Sequence, residues 1–205
     1  GPGISPGSGP GHLSLFGYDP VRYNIGRGAL EAVGIDFDLK PGDVAARGNF
    51  CTVDEKGLVT DRRAGRISTE KCKELSDVLD GITIDNVKAI VRPVKEHRFI
   101  VVLRGEKLDP MMSDSDPQQL GVAPKPVEAL DPAAKTTAGI VNKFPDEARK
   151  RLSGHHPANM VLLRGFAKRP HFPSMGEIYK VKAAAIALYP MYRGLARLVG
   201  MKILE

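Results

Sequence analysis

The chain has 205 residues, 42% of them hydrophobic and 26% charged, enough to bury the core of one large domain or two small ones. It has no run of about 18 apolar residues, which excludes a membrane-spanning helix, and no charged-then-apolar start of the signal-peptide kind. Net charge is +6, but aromatics are only 6%, Trp is absent and no Lys/Arg block exceeds three residues. This pattern suits a small phosphorylated or carboxylated ligand better than a nucleic-acid face with stacking rings, which stands as a distant third reading.

Residues 1–11, GPGISPGSGPG, read as a Gly/Pro/Ser loop. A functional-looking loop with no strand before it is what a truncated N-terminus would leave. The chain turns apolar at 12–15, and GYDP at 17–20 is a turn. A helix is expected over 28–33, ended by Gly34. LKPGD at 39–43 is a second turn and a candidate hinge. Strands follow at 45–53 and 58–60, joined by a turn at 54–57. Ser68 is a good N-cap with Ile67 as staple. Cys72, Leu75, Val78 and Leu79 keep helical spacing up to Gly81. Strands at 87–91 and 99–103 flank the charged turn 95–98. Residues 105–131 form a long irregular stretch with four prolines. Asp131 caps a helix with Pro132 at its first position, running to about Asn142, and Pro145 starts a second segment to Leu152. Strands at 160–163 and 181–188 and a helix at 195–198 complete the chain.

This order favours an α/β or α+β fold, a mixed sheet with flanking helices. The flanks, 1–42 and 175–205, are expected to share one layer system, with 43–174 inserted between them. Cys51 and Cys72 lack metal-ligand spacing and read as reduced core thiols of a cytoplasmic protein rather than a disulfide.

Three sets of residues carry candidate chemistry. Ser8 lies between Gly7 and Gly9 in a proline-stiffened loop. Exposed successive N–H groups there make a cradle for a phosphoryl group, or the segment is a plain linker. His12 either faces the same site or packs where the loop enters structure. Arg47, Arg66, Arg92, His97, Arg98, Arg104 and Arg164 lie at expected strand ends, and Leu-Arg-Gly recurs at 103–105 and 163–165. Guanidinium forks match carboxylate and phosphate oxygens; the alternative is a solvated surface set. Asp114 and Asp116 alternate with Ser113 and Ser115, either to meet a metal or substrate hydroxyls or as a turn network.

The run SPGSGPGHLSLFGYDP at 5–20 resembles the serine loop of the archaeal-type cofactor-independent phosphoglycerate mutases of the alkaline phosphatase superfamily. The likeness continues through GRGALEA at 26–32, ARGNF at 46–50, AGRISTE at 64–70, KEHRF at 95–99 and LRG at 103–105. It closes with SDSDP at 113–117, residues 159–168 and YPMYRG at 189–194. The resemblance implies interconversion of 3-phosphoglycerate and 2-phosphoglycerate through a phosphoserine, with part of an alkaline-phosphatase-like core around an inserted substrate-binding domain. It implies Ser8 as nucleophile and metal ligand. Arg47, His97, Arg98, Arg104, Asp114, Asp116, Arg164 and Lys168 become the set that binds phosphate, carboxylate or hydroxyls. Two divalent metals are implied, manganese with zinc or magnesium as alternatives. The family's other metal-binding Asp and His residues match no segment of this chain, and Gly9 stands where an acidic residue is common. The expectation is therefore a fragment that is inactive alone and does not hold metal stably. Another superfamily enzyme, a phosphatase or phosphopentomutase, and a non-catalytic phosphate-ligand module are the alternatives. Phosphoglycerate is the expected partner, without nucleic acid or membrane, and a homo-oligomer stays open.

Overall fold

The structure, a computed structural model, describes residues 8–23 and 25–204, with Ser8 described by its backbone alone. In chain order the elements are α1 (Ser8–Leu15), α2 (Arg27–Gly34), β1 (Val44–Val53), β2 (Val59–Asp61), α3 (Thr69–Leu79), β3 (Thr83–Ile84), β4 (Val87–Lys95) and β5 (Arg98–Arg104). Then come α4 (Lys135–Arg151), β6 (Met160–Ala167), α5 (Met175–Tyr179), β7 (Ala184–Ile186), α6 (Pro190–Leu198) and β8 (Lys202–Leu204). The fold is α+β: an antiparallel sheet with flanking helices.

β1 is the centre of the six-stranded sheet. It pairs with both β5 and β6, while β4 and then β3 extend the sheet beyond β5 and β2 joins the far end of β1. Every pairing in that sheet is antiparallel; the parallel component is the separate β7–β8 pair. Side chains alternate between faces along each strand. One face, with Phe50, Phe99, Val101, Leu103, Val161 and Leu163, packs on Leu75 and Leu79 of α3 and Val141, Phe144 and Ala148 of α4. The other, with Ala45, Ile90, Ile100 and Val102, takes Ala29, Ala32 and Val33 of α2. Arg47, Asn49 and Arg98 lie on this second face, because Arg47 is paired with Ile100 and Arg98 with Asn49. α2 therefore covers the apolar part of a face whose remainder is polar.

Gly28 lets α2 lie directly on β1, since a Cβ there would strike the backbone of Ala45 and Ala46. α6 crosses α2 at Gly194, where a Cβ would strike the carbonyl oxygen of Leu30. Leu13 of α1, Leu30 of α2, Leu195 of α6, Tyr18 and Phe172 close a further apolar cluster, which fixes α1 beside the sheet.

The expected elements at 28–33, 45–53, 58–60 and 99–103 stand within two residues of α2, β1, β2 and β5. Ser68 accepts from the Lys71 N–H as the N-cap of α3. Other expectations are corrected. Residues 8–11 belong to α1 rather than to a loop. Pro145 does not divide a helix: α4 runs through it, because Val141, Phe144, Ala148 and Leu152 are buried on one side of it. The 181–188 strand shrinks to β7, preceded by α5. That helix opens on a capping box, with Ser174 accepting from the Glu177 N–H and the Glu177 carboxylate accepting from the Ser174 N–H. α6 begins at Pro190, five residues before the expected 195, with proline at its first turn. β3 and β8 are short strands without a periodic signal.

Candidate active site

Where α2 stops covering the sheet, a cleft of about 450 Å³ opens. Its lining comes from four directions: Gly9 and Pro10 in the first turn of α1, Arg27 and Leu30 of α2 with Ile25 before it, Arg47 of β1 with Arg98 of β5, and Tyr189, Met191 and Tyr192 at the start of α6. α1 has no acidic residue in its first turn, so the positive end of its dipole is not countered there. Three guanidinium groups and a helix N-terminus meeting in one cleft make a site for an anion bearing more than one oxygen acceptor.

Each arginine is held differently. Arg47 donates to the buried carboxylate of Glu31, while Arg47 Nε and Glu31 Oε2 have no partner. Arg98 donates to the Tyr189 hydroxyl and lies 5.7 Å from the centre of that ring, a cation–π contact that Lys95 shares at 5.8 Å. Burial pushes the Arg27 guanidinium below its ordinary pKa, and the positive charges of Arg164 and Arg47 push it further. This is the electrostatic signature of a cluster that an anion would relieve. Asn49 Oδ1 is also buried without a partner on this side of the sheet.

Beside the cleft, Arg164 faces Arg47 across the β1–β6 pairing and lies 3.4 Å from Asp114 and 3.3 Å from Asp116. Asp116, 3% exposed, accepts both arms of the Arg62 fork at 2.9 and 2.7 Å. Burial, the largest influence, would raise its carboxyl, but the Arg62 bonds, the Gln118 N–H and the charge of Arg164 together hold it below the ordinary range. Asp114 accepts from the Gly165 N–H at 2.7 Å.

Of the residues singled out in the sequence, the structure thus brings Arg47 and Arg98 into the cleft, with Arg164, Asp114 and Asp116 in an ion-pair network next to it. Arg104 lies at the opposite end of β5, its fork closed on Asp43 at 2.9 and 2.6 Å. His97 does not line the cleft. It is 2% exposed, its Nδ1 makes no hydrogen bond and lies 3.9 Å from Glu96, and burial, with Arg98 beside it, lowers its pKa to about 4. Lys168 is exposed, Arg66 sits in the turn after β2, and Arg92 pairs with Asp80. The Ser8 side chain lies outside the described residues; its backbone opens α1 immediately before Gly9. His12, one helical turn later, packs its ring against Tyr192 at 4.9 Å.

Arg27, Glu31, Arg62 and Tyr189 complete the arrangement and were not among the residues singled out. Arg27 had a legible signal, a cation between two glycines at a helix start. Tyr189 sits before the helix-starting Pro190, which was also legible. Glu31 and Arg62 had none, since each owes its partner to tertiary packing.

Among the described residues no group of three or more His, Cys, Asp or Glu is placed to hold a metal. They do not fit the two-metal centre that the resemblance implies. No helix of the described residues is long and apolar enough to cross a membrane. Cys51 and Cys72 are free and buried.

A family model described as 2,3-bisphosphoglycerate-independent phosphoglycerate mutase matches residues 1–159. A curated protein of Thermus thermophilus, named a probable 2,3-bisphosphoglycerate-independent phosphoglycerate mutase, is 50% identical over 205 residues, covering 99% of this chain and 50% of its own length. One of Deinococcus radiodurans with the same name is 53% identical over 209 residues, covering 100% and 51%. The solved cofactor-independent phosphoglycerate mutase of Thermoplasma acidophilum superposes with a TM-score of 0.71 at 37% identity, over 98% of this chain and 57% of that one. The chain spans about half the length of the curated relatives it matches.

Proposed function

The chain belongs to the 2,3-bisphosphoglycerate-independent phosphoglycerate mutase family, and we propose that the cleft lined by Arg27, Arg47 and Arg98 holds phosphoglycerate for interconversion of its 3- and 2-phosphates, a step of glycolysis and gluconeogenesis in the cytoplasm. The observation that carries this reading is the convergence of those guanidinium groups with the first turn of α1, at whose start Ser8 stands. Phosphoglycerate has two anionic ends on three carbons, and several arginines from different elements suit it better than a single phosphate ester.

In this reading the Ser8 oxygen attacks phosphorus and the bond from phosphorus to the glycerate oxygen breaks. The phosphoryl group waits on Ser8 while glycerate turns, and then passes to the other glycerate oxygen. The chain's own residues hold the carboxylate and phosphoryl oxygens and keep glycerate from leaving before the return transfer. The 43–174 segment supplies Arg47, Arg98 and the Arg62–Asp116–Arg164 network, while 1–42 and 175–205 supply α1, Arg27 and Tyr189. Turnover is assigned to the full family length, of which this chain is about half.

Calorimetry of the 205-residue chain with 3-phosphoglycerate, 2-phosphoglycerate, a pentose phosphate and an aryl phosphate tests the substrate class. The two phosphoglycerates are expected to bind at least about tenfold tighter than the others. Equal affinity for all four would favour a phosphatase or a general phosphate-binding module. A coupled assay with added manganese is expected to show no interconversion by this chain alone, and turnover there would overturn that assignment.

A further inference from the structure

We propose that Glu31 is a positioning residue that aims Arg47 into the cleft, an inference that rests on the substrate reading above. Glu31 is 0% exposed and sits in α2 among Gly28, Ala29, Leu30, Ala32 and Val33, all buried. A carboxylate is costly in such a place unless a cation compensates it. Its partner is Arg47, whose side chain is only 13% exposed.

The manner of pairing is informative. Arg62 on Asp116 and Arg104 on Asp43 each close a two-point fork, at 2.9 and 2.7 Å and at 2.9 and 2.6 Å. Those two guanidinium groups have given Nε and one terminal nitrogen to the protein. Arg47 makes a single contact through Nη2. One oxygen of Glu31 and the Nε of Arg47 stay unpartnered although both are buried. Two groups able to form a fork form half of one, so the guanidinium is held through one nitrogen and its Nε is not spent on the protein. Arg47 is also the member of the three that lines the cleft.

The surrounding charges make such a hold necessary. Arg27 feels the positive charges of both Arg164 and Arg47, offset by Asp114 and Glu31, and Arg98 lines the same cleft. Without Glu31, Arg47 would be driven away from these cations, and an incoming anion would have to recover it from other rotamers. Two opposed effects then separate positioning from simple charge balance. Removing a negative charge beside an anion site strengthens binding by Coulomb's law, whereas losing the aim of Arg47 weakens it.

The test is 3-phosphoglycerate affinity of the 205-residue chain by calorimetry, with folding checked by circular dichroism. Glu31→Asp keeps the charge but withdraws it by one methylene; Glu31→Gln keeps the reach and an accepting oxygen but loses the charge. Positioning predicts that Glu31→Asp weakens binding about tenfold, that Glu31→Ala weakens it at least as much, and that Glu31→Gln restores most of the loss. In an Arg47→Ala background, Glu31→Asp has no further effect. The proposal is overturned if Glu31→Asp binds like the parent, if Glu31→Gln binds as weakly as Glu31→Asp, or if Glu31→Asp costs as much without Arg47 as with it. Should Glu31→Ala not fold, the Asp and Gln variants still decide between the two roles. If instead Arg47→Ala itself binds 3-phosphoglycerate as well as the parent, the site reading fails, and this inference with it.

Discussion

A guanidinium is useful to a ligand only where the fold has left its donors open. By that criterion the arginines of this chain separate. Arg104 and Arg62 are closed on buried aspartates, while Arg47 and Arg98 are each steadied by one hydrogen bond, to Glu31 and Tyr189. Arg98→Ala is expected to weaken 3-phosphoglycerate binding at least about tenfold. Arg104→Ala is expected to leave the affinity within about twofold but to lower stability, because Asp43 at 2% exposure loses its charged partner. Equal losses of affinity in the two variants would contradict the distinction. The sequence pointed to the arginines as a set, from their places at strand ends. It did not rank them, because ranking depends on which carboxylate each meets, and Asp43 is 61 residues from Arg104.

His97 makes the second case at this scale. Its pKa is lowered to about 4, chiefly by burial and then by Arg98. The unfolded chain, with an ordinary histidine, takes up a proton at a higher pH than the folded one. Stability tied to His97 is therefore complete above about pH 6.5 and is lost as pH falls from there toward about 4. Thermal unfolding at pH 7 and pH 5 is expected to show a smaller drop for His97→Gln than for the parent; identical drops would remove His97 from the account. Its place in a charged hairpin suggested a ligand contact. His97 instead sits buried in the turn between β4 and β5, outside the cleft that Arg98 lines.

Among the elements, α2 decides where the cleft lies. It is short and held by shape, with Gly28 against β1 and Gly194 of α6 against its Leu30. Gly28→Ala is expected to destabilise the fold by about 1–3 kcal/mol, the usual cost of overfilling a tight contact, measured as a lowered unfolding midpoint in denaturant. No change would mean that α2 is free to shift. α2 was legible from GRGALEAVG because its apolar spacing and its closing glycine agree. α1 was not, because Gly9, Pro10 and Gly11 argue for a loop, whereas the packing of Leu13 on Leu30 and Leu195 holds a helix. Pro145 misled for the opposite reason: the buried stripe of α4 outweighs one missing hydrogen bond.

Across the whole molecule, layers of different character meet at one cleft. The antiparallel sheet and its α3–α4 side form a closed apolar core, while α1, α2 and α6 cover the opposite face only in part. The proposed site, where that cover ends, draws on part of the net charge of +6. Family membership was legible from segments scattered over nearly the whole chain. The shape of the site was not, since Arg27, Arg47, Arg98 and Tyr189 span 162 positions in sequence and meet only after folding.

A crystal structure of the chain with 3-phosphoglycerate tests the central claim most directly. The account predicts the ligand between the first turn of α1 and the sheet, with its anionic oxygens within hydrogen-bond distance of Arg47 and Arg98. Finding it instead at the cleft beside Arg169, His171 and Arg197, with Arg47 and Arg98 untouched, would contradict it.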